Sequence, residues 1–447
     1  MPLDMTAVLH YRPVTRRGLA EALPQLLRWN AALAVLLLPM GVTVTRIAWV
    51  QPFIMVCDLA VILAVLLGFA QIAKRTVPRS ALFVTGLIFI GGQLVSYMAN
   101  PSLLGVIRIL RTFGILVIAE TLASLTPQTR VKFEKAIVSA GMFEVVLMLA
   151  HRIRGEAIFP GWIEAGRNVF GDGNSQIGVG SLQHQYVLAG LGLLVGAVSV
   201  LGLIRSTLPP VWAFSGIGTC AYLAVQSVGR AAFLGVAVLA ISLLVALFTR
   251  KQIRRNLLVA FVVLGCSSAL GFAVTLTSWS GRSQGGASIA SDSGRLPLIN
   301  QAIGLWKSSP VTGVGPGQYS VALLQNPKLL HLTGIFLPVH DVPLHIAAET
   351  GVFGVLPAMI FGYLLWKRLR NGGFDVLLPA GAIAPFLLFD VFHWVIPAGT
   401  LQLGVFVGFL AYRNASSMIE APPNIQGLQE SFAQKRTAAG LGLLNPV

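Results

Sequence analysis

Apolar residues run along this chain in long blocks rather than in strand-like alternation. Blocks recur near 30–45, 49–70, 81–99, 103–124, 136–150, 185–204, 211–226, 231–248, 257–277, 343–365, 375–392 and 397–412. Blocks of this kind predict helices that cross a bilayer, which takes about 20 predominantly apolar residues. Some are short or carry Pro and Gly, so broken or tilted helices are expected among them. The pattern predicts an all-α integral membrane protein with about 12 transmembrane helices. It divides into a cytoplasmic N-terminal segment (1–29) and helices one to nine (30–277), the latter interrupted by an outer loop at 151–184. A second outer loop (278–342), helices ten to twelve (343–412) and a cytoplasmic tail (413–447) follow. No internal repeat divides the spans into related halves.

Composition excludes a soluble domain. Hydrophobic residues make up 55% of the 447 positions and charged ones 11%, with a mean hydropathy of +0.77. Lys and Arg number 32 against 16 acids, a formal charge of +16. In a soluble protein that excess would suggest nucleic acid. Here it falls in alternate loops, around Lys74 and Arg75, Arg130 to Lys135, Arg205, Arg250 to Arg255 and Lys367 to Arg370. Basic loops stay cytoplasmic, so both termini are expected inside, the long loops outside, and no nucleic-acid partner. Cys57, Cys220 and Cys266 lie scattered in apolar segments, without metal-ligand or disulfide-framework spacing. The first apolar block is followed by no cleavage site and is expected to remain as a span.

The candidate chemistry sits in and around the second loop. Leu298/Ile299, Ala302/Ile303 and Leu305/Trp306 recur at helical spacing, with Pro297 near the start and Pro310 beyond the end. This predicts a short amphipathic helix, lying on the membrane surface or capping the bundle. His340 precedes Asp341, a good N-cap, and Pro343, which suits a first helical turn. At a helix N-terminus a histidine can serve as a base near neutral pH, or simply sit at the interface. Glu349 lies within the next span, and His345, four residues earlier, is its natural structural partner. Ala347, Gly351 and Gly354 form a stripe of small residues suited to close helix packing. Arg108 and Arg111 share one helical face roughly 9–14 Å below the outer surface by helical rise. They either neutralise Asp58 and Glu144 or face a cavity that takes a phosphate. Arg230, after Ser227-Val228-Gly229, and Arg295, after Ser293-Gly294, are further phosphate-gripping candidates. Gly313-Val314-Gly315-Pro316-Gly317 lacks the Lys-Ser/Thr of a phosphate loop and reads as a turn. No metal centre is indicated.

His340-Asp341, then nine residues, Gly351, two residues and Gly354 resemble the signature of the bacterial O-antigen ligase and Wzy-type polymerase family. Asp341 stands where that signature has Asn, Ser or Gln. The Ser293-Gly294-Arg295, Trp306, Pro310 and Gly313–Gly317 run and the Val228-Gly229-Arg230 turn are similar to the same family. The resemblance implies a GT-C-like membrane glycosyltransferase. It implies an undecaprenyl-diphosphate-linked glycan as donor and an active site at the periplasmic face of the bacterial inner membrane. Transfer goes to a hydroxyl acceptor with inversion, without metal, nucleotide sugar or cofactor. His340 is then the catalytic base or acceptor-orienting group, and Arg230 and Arg295 hold the diphosphate. Arg108 and Arg111 extend that set by charge and depth, and Glu349, His345 and Asp341 are support. The two outer loops, with ten residues between Arg167 and Gly178 in the first, favour an O-antigen or exopolysaccharide polymerase. The alternative within the family is a ligase acting on lipid A–core. From another class, a polytopic transporter or lipid flippase shares the span count.

Overall fold

The structure is a computed structural model. It describes residues 16–40, 43–46, 53–76, 78, 80–154, 185–227, 229–284, 295–330, 338–371, 373–389, 394 and 396–411. Most of the first loop, including Arg167 and Gly178, and the C-terminal tail lie outside the described residues. The chain opens with α1 (Arg16–Leu36) and a two-stranded antiparallel ribbon of β1 (Thr43–Arg46) and β2 (Phe53–Met55). Then come α2 (Asp58–Ala73), α3 (Ala81–Ala99), α4 (Leu103–Ala123) and α5 (Pro127–Arg154). After the first loop follow α6 (Gln185–Ile204), α7 (Pro210–Gln226), α8 (Arg230–Thr249) and α9 (Arg254–Gln284). The second loop holds α10 (Arg295–Ser308), α11 (Tyr319–Leu324) and α12 (Pro327–Leu330). The chain continues with α13 (Val342–Asn371), α14 (Phe374–Gly381), α15 (Ala384–Phe389) and α16 (Pro397–Leu410).

Helix α6 is the centre. Every side chain from Val187 to Ile204 is buried, as befits a helix apolar all round. Helices α5, α7, α8, α14 and α16 pack on it, while α2 and α16 pack on α4 and α3 packs on α13. Large apolar side chains point outward along other helices: Ile62 and Leu66 on α2, Val262 on α9, and Leu356 and Met359 on α13. Such a surface would be a large exposed patch in water and is met by lipid tails in a bilayer. Among the described residues five helices are long and apolar enough to cross a membrane: α3, the Val187–Ile204 part of α6, α8, Lys251–Ala273 and α13. Three shorter apolar stretches are Asp58–Ala73, Val376–Leu388 and Pro397–Leu410.

Several elements differ from the apolar blocks. Residues 49–70 were expected as one span, but the ribbon occupies the stretch before Asp58, with β-branched Thr43, Val44 and Thr45 suiting a pleated strand. The block expected at 375–392 holds two short helices among its described residues, because Pro379 and Pro385 interrupt continuous hydrogen bonding. Helix α9 runs on to Gln284, past the expected end near 277.

Groups expected on one side of the bilayer meet one another. Asn100 Nδ2 donates to the Gly313 carbonyl at 3.1 Å, and the Arg108 guanidinium lies 5.1 Å from the centre of the Trp394 ring. At the other end, Ser80 Oγ donates to Glu120 Oε2 at 2.7 Å, and Thr207 Oγ1 to Glu134 Oε2 at 3.2 Å.

Candidate active site

His340 is held by its neighbours in the chain. On one side, Val339 is 1% exposed in a small core with Ala302, Leu305, Tyr319, Leu323 and Ala348. Burying side chains such as Leu305, Leu323 and Val339 contributes about 1.5–3 kcal/mol each, so this core ties α10, α11 and α13 together. On the other side, Asp341 caps α13: its Oδ1 accepts from the Leu344 amide at 2.7 Å. The histidine between them is half-buried. Arg295, the first residue of α10, is also half-buried and acts on it electrostatically. Burial, and then the charge of Arg295, push the His340 pKa down to about 4, so its imidazole is neutral through the physiological range.

One turn further in lies an ionic cluster. His345 Nε2 is 3.2 Å from Glu349 Oε1 across one helical turn, and Arg108 Nη2 is 3.7 Å from Glu349 Oε2. Arg108 also donates to the Trp394 carbonyl. The Tyr319 ring stacks on His345 with centroids 4.9 Å apart. Arg111 makes a bidentate pair with Asp58 at 3.0 and 3.1 Å, and Asp58 Oδ2 also accepts from the Met55 amide at 3.0 Å. Both arginines are thus engaged by carboxylates, Arg111 by Asp58 as one alternative anticipated and Arg108 by Glu349. Glu144, the other acid named for this role, is fully buried on α5 and also has a partner. A cavity of about 40 Å³ remains beside Arg108, Arg111, Thr112 and Trp394.

Below this cluster α13 is broken. Gly351 has φ 57° and ψ −154°, a region open essentially to glycine alone. The turn Pro310–Gly317 fills the break with its backbone. Val314 N donates to Ala348 O and Gly315 N to Glu349 O, both at 2.9 Å, while Val352 N donates to Pro310 O at 3.1 Å. Ser96 Oγ from α3 also donates to Glu349 O at 2.9 Å. The glycine-rich segment is therefore a clip on a broken helix, and Gly351 is glycine both for its backbone angle and for the close approach of the clip's backbone. Close packing does occur next to it, where a Cβ on Gly92 would collide with the Phe353 carbonyl.

Arg230 is the exposed first residue of α8, following Gly229. The geometry brings Arg108, His345 and Glu349 together, and Arg295 is near enough to His340 for its charge to act on it. Sequence reasoning missed Tyr319, Trp394, Ser96 and Asn100. Interfacial aromatics were the available signal for the first two, and nothing local marked the others.

A helical membrane protein with a buried ionic cluster under a half-buried histidine is the class these features define. Residues 215–359, from within α7 to the middle of α13, match the family described as O-antigen ligase, which supports the O-antigen ligase/Wzy-type family for this chain. The matched segment carries Arg230, Arg295, His340, His345, Glu349 and both signature glycines, while Asp58, Arg108, Arg111 and Trp394 fall outside it. It supports a membrane function of the O-antigen ligase or polymerase type. Among curated proteins none matches the chain.

Proposed function

We propose that this protein is a membrane glycosyltransferase moving a glycan from undecaprenyl diphosphate to a hydroxyl acceptor at the periplasmic face of the inner membrane. The observation that carries the reading is His340 beside Arg295: a neutral imidazole next to a fixed cation, on backbone pinned by a helix cap and a small core. His340 takes the proton of the acceptor hydroxyl. The resulting oxygen nucleophile attacks the anomeric carbon from the face opposite the diphosphate, giving inversion. The bond from that carbon to the diphosphate oxygen breaks, and its electron pair leaves with the diphosphate. Arg295 and Arg230 offset the growing negative charge, an effect worth about 10²–10³ in rate per contact in comparable sites. No metal is given a part. Arg108 and Arg111, with carboxylates already bound, are assigned to the frame beneath the site, together with His345, Glu349 and the Asp341 cap.

Twelve spans, with both termini and the tail cytoplasmic and both long loops periplasmic, are part of the same reading. The sorting of Asn100, Gly313 and Trp394 to one end and of Ser80, Glu120 and Glu134 to the other supports it. The acceptor in this reading is a second lipid-linked glycan, which makes the protein a polymerase. The matching family, described as O-antigen ligase, favours a second reading, ligation to lipid A–core. Supplying the purified protein with a lipid-linked repeat unit separates them. A ladder on the polyprenyl carrier is the expected result, and a product formed only with lipid A–core present means ligase. Solute transport in proteoliposomes with no glycosidic bond made would overturn both.

The His340–Arg295 couple also sets a pH dependence. The free enzyme holds an active, unprotonated base down to about pH 4, so kcat/KM is lost only as pH falls through that value. Arg295→Gln removes a charge that opposes protonation, so the His340 pKa rises and the acid limb of kcat/KM moves to higher pH. Burial is the larger cause and remains, so the limb stops short of the ordinary histidine value. An unmoved acid limb in this variant would separate Arg295 from the base.

A further inference from the structure

Far from His340, a second site is built where α1, α2, α3 and α4 meet. The clip touches the start of α4, where a Cβ on Gly317 would sit 3.2 Å from the Leu104 carbonyl. Ser124, at the other end of α4 and about 30 Å away by helical rise, lines a cavity of about 270 Å³. Its walls are apolar at Leu27 and Phe83 and polar at Gln71 and Thr121, with Arg28 from α1 and Glu120 from α4 facing the same space.

Arg28 and Glu120 do not pair with each other. Elsewhere in this fold opposite charges that share a space close up, Arg130 on Glu134 at 2.7 Å and Arg111 on Asp58 at 3.0 Å. Among the described residues no hydrogen bond or ion pair engages the Arg28 guanidinium, and the Ser80 hydroxyl engages only Oε2 of Glu120. A cation and an anion that line one cavity without pairing complement a ligand that carries both signs. The volume falls just below the roughly 300 Å³ where pockets for drug-sized molecules begin, which suits a small polar group and not a sugar chain. Leu26 and Trp29 flank Arg28 on α1 and are exposed at 41% and 66%. A tryptophan beside an arginine marks headgroup level, so the cavity opens where acyl chains begin.

We propose that this cavity binds the headgroup of an aminophospholipid of the phosphatidylethanolamine type. Arg28 takes the phosphate, for which a guanidinium fork is suited. Glu120 Oε1 accepts from the primary ammonium. A choline headgroup has no N–H to offer that oxygen, and a glycerol headgroup has no positive charge, so both are discriminated against. The site is independent of the transfer reaction proposed above.

The test is native mass spectrometry of the delipidated full-length protein. It is offered equimolar phosphatidylethanolamine, phosphatidylcholine and phosphatidylglycerol. Retention of one phosphatidylethanolamine per chain, favoured at least about tenfold, is expected. Arg28→Gln should lose retention of all three lipids, and Glu120→Gln should lose the preference for ethanolamine over choline. Arg255→Gln, an exposed change elsewhere, should behave as wild type. Lipid-free melting temperatures of the variants, matching wild type, show that the fold is intact. No headgroup preference, or wild-type retention in both cavity variants, overturns the site. Equal retention of soluble glycerophosphoethanolamine overturns the assignment to a membrane lipid.

Discussion

Replacing His340 with alanine is expected to abolish glycan transfer while leaving the protein folded and inserted. General-base catalysis contributes about 10²–10⁴ in rate, and among the described residues no other imidazole stands at the mouth of α13. His345, the next histidine, is buried against Glu349 and Tyr319. The fold should tolerate the change because the neighbours of His340 hold this segment as well. Val339 keeps its place in the small core, and the Asp341 carboxylate still caps the helix. Turnover of a lipid-linked glycan measures the first part, and the melting temperature in detergent measures the second. His340→Gln keeps a polar side chain of similar reach without a base, and should be equally inactive. Full activity in either variant removes His340 as the base. A variant that is inactive and also melts well below wild type would assign the residue to folding instead.

What could be read along the chain was local chemistry. The Asp341 cap, the proline in the first turn of α13 and the i, i+4 pairing of His345 with Glu349 need only a few consecutive residues to be recognised. The buried stripe of α10 at Leu298, Ala302 and Leu305 was visible for the same reason, and it packs against α13. What escaped reading was the set of contacts made across long separations. Arg108 meets Glu349 over 241 positions, because α4 and α13 converge beneath the second loop. Nothing near Arg108 names that partner. The glycines between 313 and 317 read correctly as a turn, but not as the element that fills a break in another helix. The ribbon before α2 was absorbed into an apolar block, since Phe53, Ile54 and Met55 are as hydrophobic as the span that follows.

Gly351→Ala is expected to be among the costliest single methyl groups that could be added to this fold. Its backbone angles are closed to other residues, at a cost of about 1–3 kcal/mol. The new Cβ would also overlap the Val311 carbonyl and approach the Gly313 amide to 2.7 Å. Relief requires the clip to move, and with it the bonds from Val314 N to Ala348 O and from Gly315 N to Glu349 O. Each buried polar group left unpaired adds about 1–3 kcal/mol, so the total exceeds about 3 kcal/mol. Against the ordinary margin of about 5–15 kcal/mol, that lowers the yield of folded protein and the melting temperature by several degrees. Gly362→Ala in the same helix is the control. A Cβ there meets nothing within 4 Å, and its melting temperature should not fall. Identical melting of the Gly351 and Gly362 variants would mean that the break is not rigidly held. The expected difference gives the family signature a physical meaning. Eleven positions separate His340 from Gly351, about 16 Å of helical rise, so the motif fixes the distance from the base to the break. A second-loop turn locks that break from outside, and through it the second loop and α13 are set at one register, with Arg295 carried to His340 on α10.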